Sequence, residues 1–330
     1  MKAYYSTDKL LREASPPREW DNTLLCLPGK GGGCDRSTYW FLRGVVQKNT
    51  PPYFTYGKAW QDALGAWYTT DGDIATRLKA AFATATRVWA EDGAEGSGDN
   101  TLEKLKWLLV FYAAEYPEEH WKIVIHNNQM ELGFCYPLRN TGYFLAGALD
   151  GYISWSSYGL LDLENKTSGI YLSDSFIAQW AWSTQVTQYF WGLSITLGSE
   201  PFGVLMNLAC KRSVTDKAVK EFQNSGSVPD GAFSRSLEKR SAYQLEEFEK
   251  ESYLVILDVE QEWTRWNWPK ARDHMHCSGG IGKSPCPYRR LCLQERPFYE
   301  LEEPEILGND LAWRKEPWRP WERGNKKEEA

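Results

Sequence analysis

Three residues are spaced for phosphodiester chemistry. Asp150 closes the apolar run GALDG, and Glu164 and Lys166 follow at alternate positions of LLDLENKTS. Residues two apart on a strand point to one face, so Glu164 and Lys166 project side by side if this segment is extended. A hairpin pairing the two segments brings Asp150 beside them. Two carboxylates can then hold a divalent cation on a phosphate diester, and the ammonium can stabilise the charge that develops or place a water. Unpaired charges in such apolar surroundings are costly unless they coordinate or pair. Asp162 shares the face of Glu164, as a second metal contact or as a surface charge. Taken alone, an aspartate near an E-x-K also fits a solvated strand face.

These residues need a sheet with helices around it. Apolar residues recur at helical spacing from Tyr56 to Tyr68, from Ile74 to Trp89 and from Leu102 to Tyr116, and Asp92 to Asn100 reads as an exposed loop between helices. VIHNNQMELGFCYPL, TGYFLAGALDGYISWSS and YGLLDLENKTSGIYL alternate between apolar runs and turn signals, the pattern of paired strands. One helix is expected at about 175–193, a buried strand at 203–212, a polar insertion near 223–237, and a long helix through SLEKRSAYQLEEFEKESYLVILDVEQEWTRW. The terminal ERGNKKEEA is expected to be disordered. The expected organisation is an arm (1–33), a helical region (34–120), a core (121–270), a cysteine-rich segment (271–295) and a tail (296–330), all in one compact domain.

The chain has 330 residues, a net charge of -6, seven cysteines and 17 tryptophans. No apolar run is long enough to span a membrane, and the N-terminus lacks a secretory h-region, so a cytoplasmic location is expected. A reducing compartment turns clustered cysteines toward metal ligation. The acidic balance does not favour nucleic acid, although a local basic groove can sit on an acidic protein. Most tryptophans are expected in the core, with stacking on unpaired bases as the alternative. GKGGGC lacks the spacing and the Lys-Ser/Thr pair of a phosphate-binding loop.

GALDG followed by LLDLENKTSG resembles the core strands of the PD-(D/E)XK nucleases, in their RecB-like branch. The next helix contains Gln185-Val-Thr-Gln-Tyr189, similar to the Q-x-x-x-Y motif of that branch. Tyr56-Gly-Lys-Ala-Trp-Gln61-Asp62 resembles its Gly-x-x-x-His segment, with Gln61 where the family has histidine. Cys34, Cys277, Cys286 and Cys292 resemble the one early and three late cysteines of the AddB, CRISPR-adaptation and phage exonuclease types. The late spacing departs from the pattern, since eight residues separate Cys277 from Cys286.

The resemblance runs from about Cys34 to Cys292. It implies an α/β, restriction-endonuclease-like core with a mixed central sheet flanked by helices, the termini joined by a metal cluster. It also implies a Mg2+- or Mn2+-dependent exonuclease acting on single-stranded DNA or DNA ends, beside recombination, repair or replication proteins. Asp150, Glu164, Lys166, Gln185 and Tyr189 would be catalytic. Asp150, Glu164 and the Asn165 backbone carbonyl would hold the metal, with Gln61 and Glu131 as further candidates. The four cysteines would bind a 4Fe-4S cluster, or Zn2+, which takes the same sulfur set; His274 and His276 would suit zinc.

Cys26, Cys135 and Cys210 read as core thiols. Lys211 and Arg212 end a strand, as phosphate contacts or as plain surface charges, and Arg289 and Arg290 carry the same two readings. The alternative to an enzyme is a catalytically weak DNA-binding or scaffold protein stapled by the iron-sulfur or zinc site.

Overall fold

The computed structural model describes residues 16–29, 33–125, 130–271, 277–278, 285–294, 297–308, 310–314 and 318–322. His274, His276 and most of the tail expected to be disordered lie outside the described residues. The chain divides into two units. One comprises 1–49, 135–146 and 245–320, and the other 50–134, 147–244 and 321–330.

The second unit holds a five-stranded mixed sheet in the order Trp121–Val124, Tyr152–Trp155, Gly159–Ser168, Gly203–Cys210, Phe233–Glu238. Gly159–Ser168 pairs antiparallel with Tyr152–Trp155 and parallel with Gly203–Cys210, so a crossover connects the two parallel strands. The crossover carries the Thr184–Leu197 helix. Every residue of Gly203–Cys210 is buried, which matches its continuous apolar run. The expected N-terminal helices form as Pro52–Thr69, Ile74–Glu91 and Leu102–Glu115, started by Pro52 at the first turn and by the caps Asp73 and Thr101. Trp60, Trp67, Leu64, Leu105 and Phe111 make their common core.

Two expectations for this unit are corrected. The single helix at 175–193 is a short helix, Asp174–Ala178, a 3-10 turn, Gln179–Trp182, and a separate helix from Thr184. Ser183 causes the break: it is extended (φ -72°, ψ 120°) and its Oγ accepts from Val186 N at 3.4 Å, starting a new helix. The polar insertion near 223–237 holds the end of a helix, Asp216–Ser225, and most of the edge strand Phe233–Glu238. That strand lacks apolar alternation because none of its residues is fully buried.

The Thr184–Leu197 helix comes close to Phe134 because Gly192 has no side chain. A Cβ there would lie 2.5 Å from the Phe134 ring, and one at Gly147 would lie 2.8 Å from it. This approach fixes Tyr189, one turn earlier, with its ring edge-on to Phe134 at 6.4 Å.

In the first unit, Tyr39, Trp268 and Phe298 pack as a buried aromatic group beside Trp263 and Trp266. Leu311–Trp313 pairs antiparallel with Val45–Gln47, and Glu19–Trp20 runs parallel to Phe144–Leu145. The long helix is Ala242–Arg265, of which residues from Leu245 belong to this unit. Cys26 corrects another expectation. Leu24 and Leu25 take the buried face of the one-turn Asn22–Cys26 helix, and Cys26 is turned outward and exposed. Cys210 is buried as expected and Cys135 is half-buried. No helix among the described residues is long and apolar enough to cross a membrane.

Candidate active site

The Gly159–Ser168 strand separates its residues by parity. Leu161 and Leu163 are buried with Trp121, Ile153 and Leu205. Asp162, Glu164 and Lys166 lie on the opposite face. The hairpin register sets Tyr152 opposite Asp162, which continued by two residues sets Asp150 opposite Glu164. The continuation is bonded: Leu163 N donates to Gly151 O at 2.9 Å, and Asn165 N donates to Asp150 Oδ2 at 2.9 Å. The N–H and C=O of a strand residue point to the same neighbour. The Asn165 carbonyl therefore faces the Asp150 edge.

Asp162 and Glu164 are fully buried, and the Lys166 side chain retains 29% exposure. Lys166 Nζ is ion-paired with Glu164. Burial, then the Asp150 charge, pushes the Glu164 carboxyl up to about 8 against the pull of Lys166. Burial, with Glu164 and Asp150 adding to it, drives Asp162 well above the carboxylate range. Among the described residues, Asp162 has at most a weak contact from the Leu163 N–H, which donates to Gly151 O at 2.9 Å. Lys166 is held above its ordinary value because Glu164 and Asp150 outweigh burial. Three carboxyls thus crowd one ammonium, and burial pushes two of them toward their neutral forms, a penalty that a bound cation would relieve.

Tyr189 OH accepts from Gln185 Nε2 at 2.9 Å. Burial and the charges of Glu164 and Asp150 keep this phenol neutral. Gln61 is fully engaged: its Nε2 donates to Asp150 O at 2.9 Å and its Oε1 accepts from Asn165 Nδ2 at 2.8 Å. Glu131 is half-buried just before the Leu132–Pro137 strand.

Lys211 is buried over the Tyr56 ring, with its ammonium on Asn100 Oδ1. It is thereby turned away from the role of an exposed phosphate contact. Arg212 is half-exposed, 3.9 Å from Asp99 and over the Tyr171 ring. Among the tryptophans, Trp20, Trp40, Trp60, Trp67 and Trp268 are fully buried, while Trp182 is 87% exposed.

Sequence reasoning missed a polar chain behind the strand, made of the buried Asn207 and Tyr112 and the half-buried Arg235 and Glu119. Asn207 Nδ2 donates to Asn165 Oδ1 and to Tyr112 OH, each at 2.7 Å. Its signal was present as an asparagine inside the apolar run GVLMNLAC.

In the first unit, Cys34 stands at the start of the Asp35–Leu42 helix and its Sγ accepts from Ala271 N at 3.2 Å. Cys286 N donates to Cys277 O at 3.1 Å. The Cys286 thiol is raised by burial and further by Cys34 and Cys277. Cys292 is pushed up to about 11 by burial, with Cys34 and Cys286 adding and Arg36 and Lys270 opposing. None of the four is in a disulfide. Arg289 is exposed, whereas Arg290 donates to the carbonyls of Ile306 and Leu307. Among the described residues, no three His, Cys, Asp or Glu side chains stand as they are in a metal-holding arrangement.

No protein-family model and no curated protein matches the chain. Its structure is similar to one from Eubacterium rectale described as a "putative exonuclease", at 11% identity and a TM-score of 0.42, over 85% of this chain and 98% of that chain.

Proposed function

We propose that the protein is a metal-dependent DNA nuclease, an exonuclease acting on single strands or DNA ends in recombination, repair or replication. The observation that carries this reading is the register that sets Asp150 beside Glu164, with Asp162 and Lys166 on the same buried face. A Mg2+ or Mn2+ ion held by Asp150, Glu164 and the Asn165 carbonyl would neutralise a phosphodiester and make a bound water more acidic. Lys166, partly open to solvent, donates a charged hydrogen bond to a non-bridging phosphate oxygen. Gln185 and the neutral Tyr189 hydroxyl, close enough to feel Glu164 and Asp150, would position the strand. The exposed Trp182 and Tyr171, the latter with Arg212 beside it, suit unpaired bases better than a closed duplex.

End-labelled single- and double-stranded DNA is incubated with Mg2+ or Mn2+ and the wild type or Asp150→Asn. The expected result is end-dependent shortening that Asp150→Asn reduces roughly 10²–10³-fold. Equal background in both proteins overturns the enzyme reading and leaves a DNA-binding protein.

Cys34, Cys277, Cys286 and Cys292 form the proposed ligand set of a 4Fe-4S cluster, with zinc as the competing occupant. The backbone donor on Cys34 Sγ and the Arg36 charge fit ligands that are bound as thiolates. Anaerobically purified protein is expected to be brown and to contain iron and sulfide. Cys292→Ser is expected to lose both the colour and part of the thermal stability. Stoichiometric zinc in colourless protein assigns the site to zinc, and neither metal removes it.

A further inference from the structure

The geometry points to a one-way amide relay, Arg235–Asn207–Asn165–Gln61, that fixes Asp150 from the far side of the sheet and makes Asn207 a positioning residue for the metal site. The inference rests on the nuclease reading only for what Asp150 does.

The relay's direction is set at both ends. A guanidinium only donates, so the Asn207 oxygen faces Arg235 Nε, at 3.2 Å. The Asn207 amide nitrogen then faces Asn165 Oδ1 at 2.7 Å, Asn165 Nδ2 faces Gln61 Oε1 at 2.8 Å, and Gln61 Nε2 meets the Asp150 carbonyl at 2.9 Å. A carbonyl only accepts, so no link can turn over without opposing two like groups. The cationic end is itself clamped: Arg235 donates to both Glu119 oxygens, at 2.6 and 2.8 Å, and to Tyr112 OH at 2.9 Å. Asn207 and Asn165 are buried at 1% and 6% exposure, where such bonds are strong and polarise one another.

Asn165 holds Asp150 twice. Its backbone N–H grips the carboxylate directly, and its side chain grips the carbonyl through Gln61. The corner that aims Asp150 at Glu164 is thus tied to the sheet by one residue, and that residue is oriented by Asn207. Gln61, with both amide ends spent on this task, supports the site and is not one of its ligands.

Asn207→Asp keeps the shape and the bond to Arg235 but can no longer donate. The Asn165 and Gln61 amides must then turn over, and the Gln61 oxygen faces the Asp150 carbonyl. The test is binding of Mn2+ alone, read by electron paramagnetic resonance of the free ion, with Asp150→Asn as the site control. The relay predicts a dissociation constant raised roughly tenfold in Asn207→Asp, with thermal stability held by the Arg235 ion pair. A merely electrostatic effect has the opposite sign, because the added negative charge tightens cation binding. Unchanged or tighter Mn2+ binding in Asn207→Asp therefore overturns the relay while leaving the metal reading intact. If Asn207→Asp does not fold, Gln61→Met removes the last donor and must weaken Mn2+ binding similarly. A wild type with no Mn2+ site sensitive to Asp150→Asn overturns the metal reading and the relay together.

Discussion

Lys166→Ala is expected to lower the rate of DNA hydrolysis about a thousandfold while leaving DNA binding within a few-fold of the wild type. Two effects act in the same direction. Removing a donor aimed at charge that develops in the transition state costs roughly 10²–10³ in rate. Lys166 is also the ammonium that offsets burial at Glu164. Without it Glu164 rises further above about 8, so its proton is harder for an incoming cation to displace, and a protonated carboxyl is a poor cation ligand. The loss should therefore appear in kcat, with KM little changed. Lys166→Arg is not expected to restore the rate, because a planar guanidinium cannot occupy the position of a compact ammonium against Glu164. Single-turnover hydrolysis beside filter binding separates the two steps. Parallel loss of binding and rate would make Lys166 a DNA-affinity residue, and an unchanged rate would remove it from the chemistry.

Glu164→Gln should abolish activity yet make the metal-free protein more stable above pH 8. Glu164 has a folded value near 8 against an ordinary 4.5, so the native state holds a proton that the unfolded chain releases. Stability from this group is complete below about 4.5 and is lost as pH rises through about 8. A neutral amide does not titrate, so the variant escapes that loss. Lys166 keeps Asp150 as a counter-charge. A gain on the order of 1–3 kcal/mol is expected at high pH, and near parity in mild acid. Urea denaturation in the presence of a chelator at both pH values measures it. A variant less stable than wild type at high pH would show that Glu164 is held ionised and well paired. A buried carboxyl cluster that lowers stability is the cost commonly found at functional sites.

Much of the site was legible in the sequence because strand parity is a local rule. DLENK dictates that Asp162, Glu164 and Lys166 share a face once the segment is extended, and turn signals between GALDG and that run imply the hairpin that delivers Asp150. The three N-terminal helices were legible for the same reason, since their periodicity and caps are local. Ser183 was overlooked although a serine cap is also a local signal, because the apolar pattern around it continued without interruption.

The tertiary structure alone decided the rest. Whether Gln61 meets a metal or a carbonyl depends on Asn165 and Asn207, which lie 104 and 146 positions away in the chain. The edge strand Phe233–Glu238 carries no apolar alternation, because its role is to complete a sheet and supply Arg235. Lys211 looked like a surface charge until the Tyr56 ring and Asn100 enclosed it, and Cys26 looked buried until Leu24 and Leu25 took the inner face. Spacing along the chain sets which side chains share a face. What each polar end finally touches is set by segments that meet only when the sheet closes.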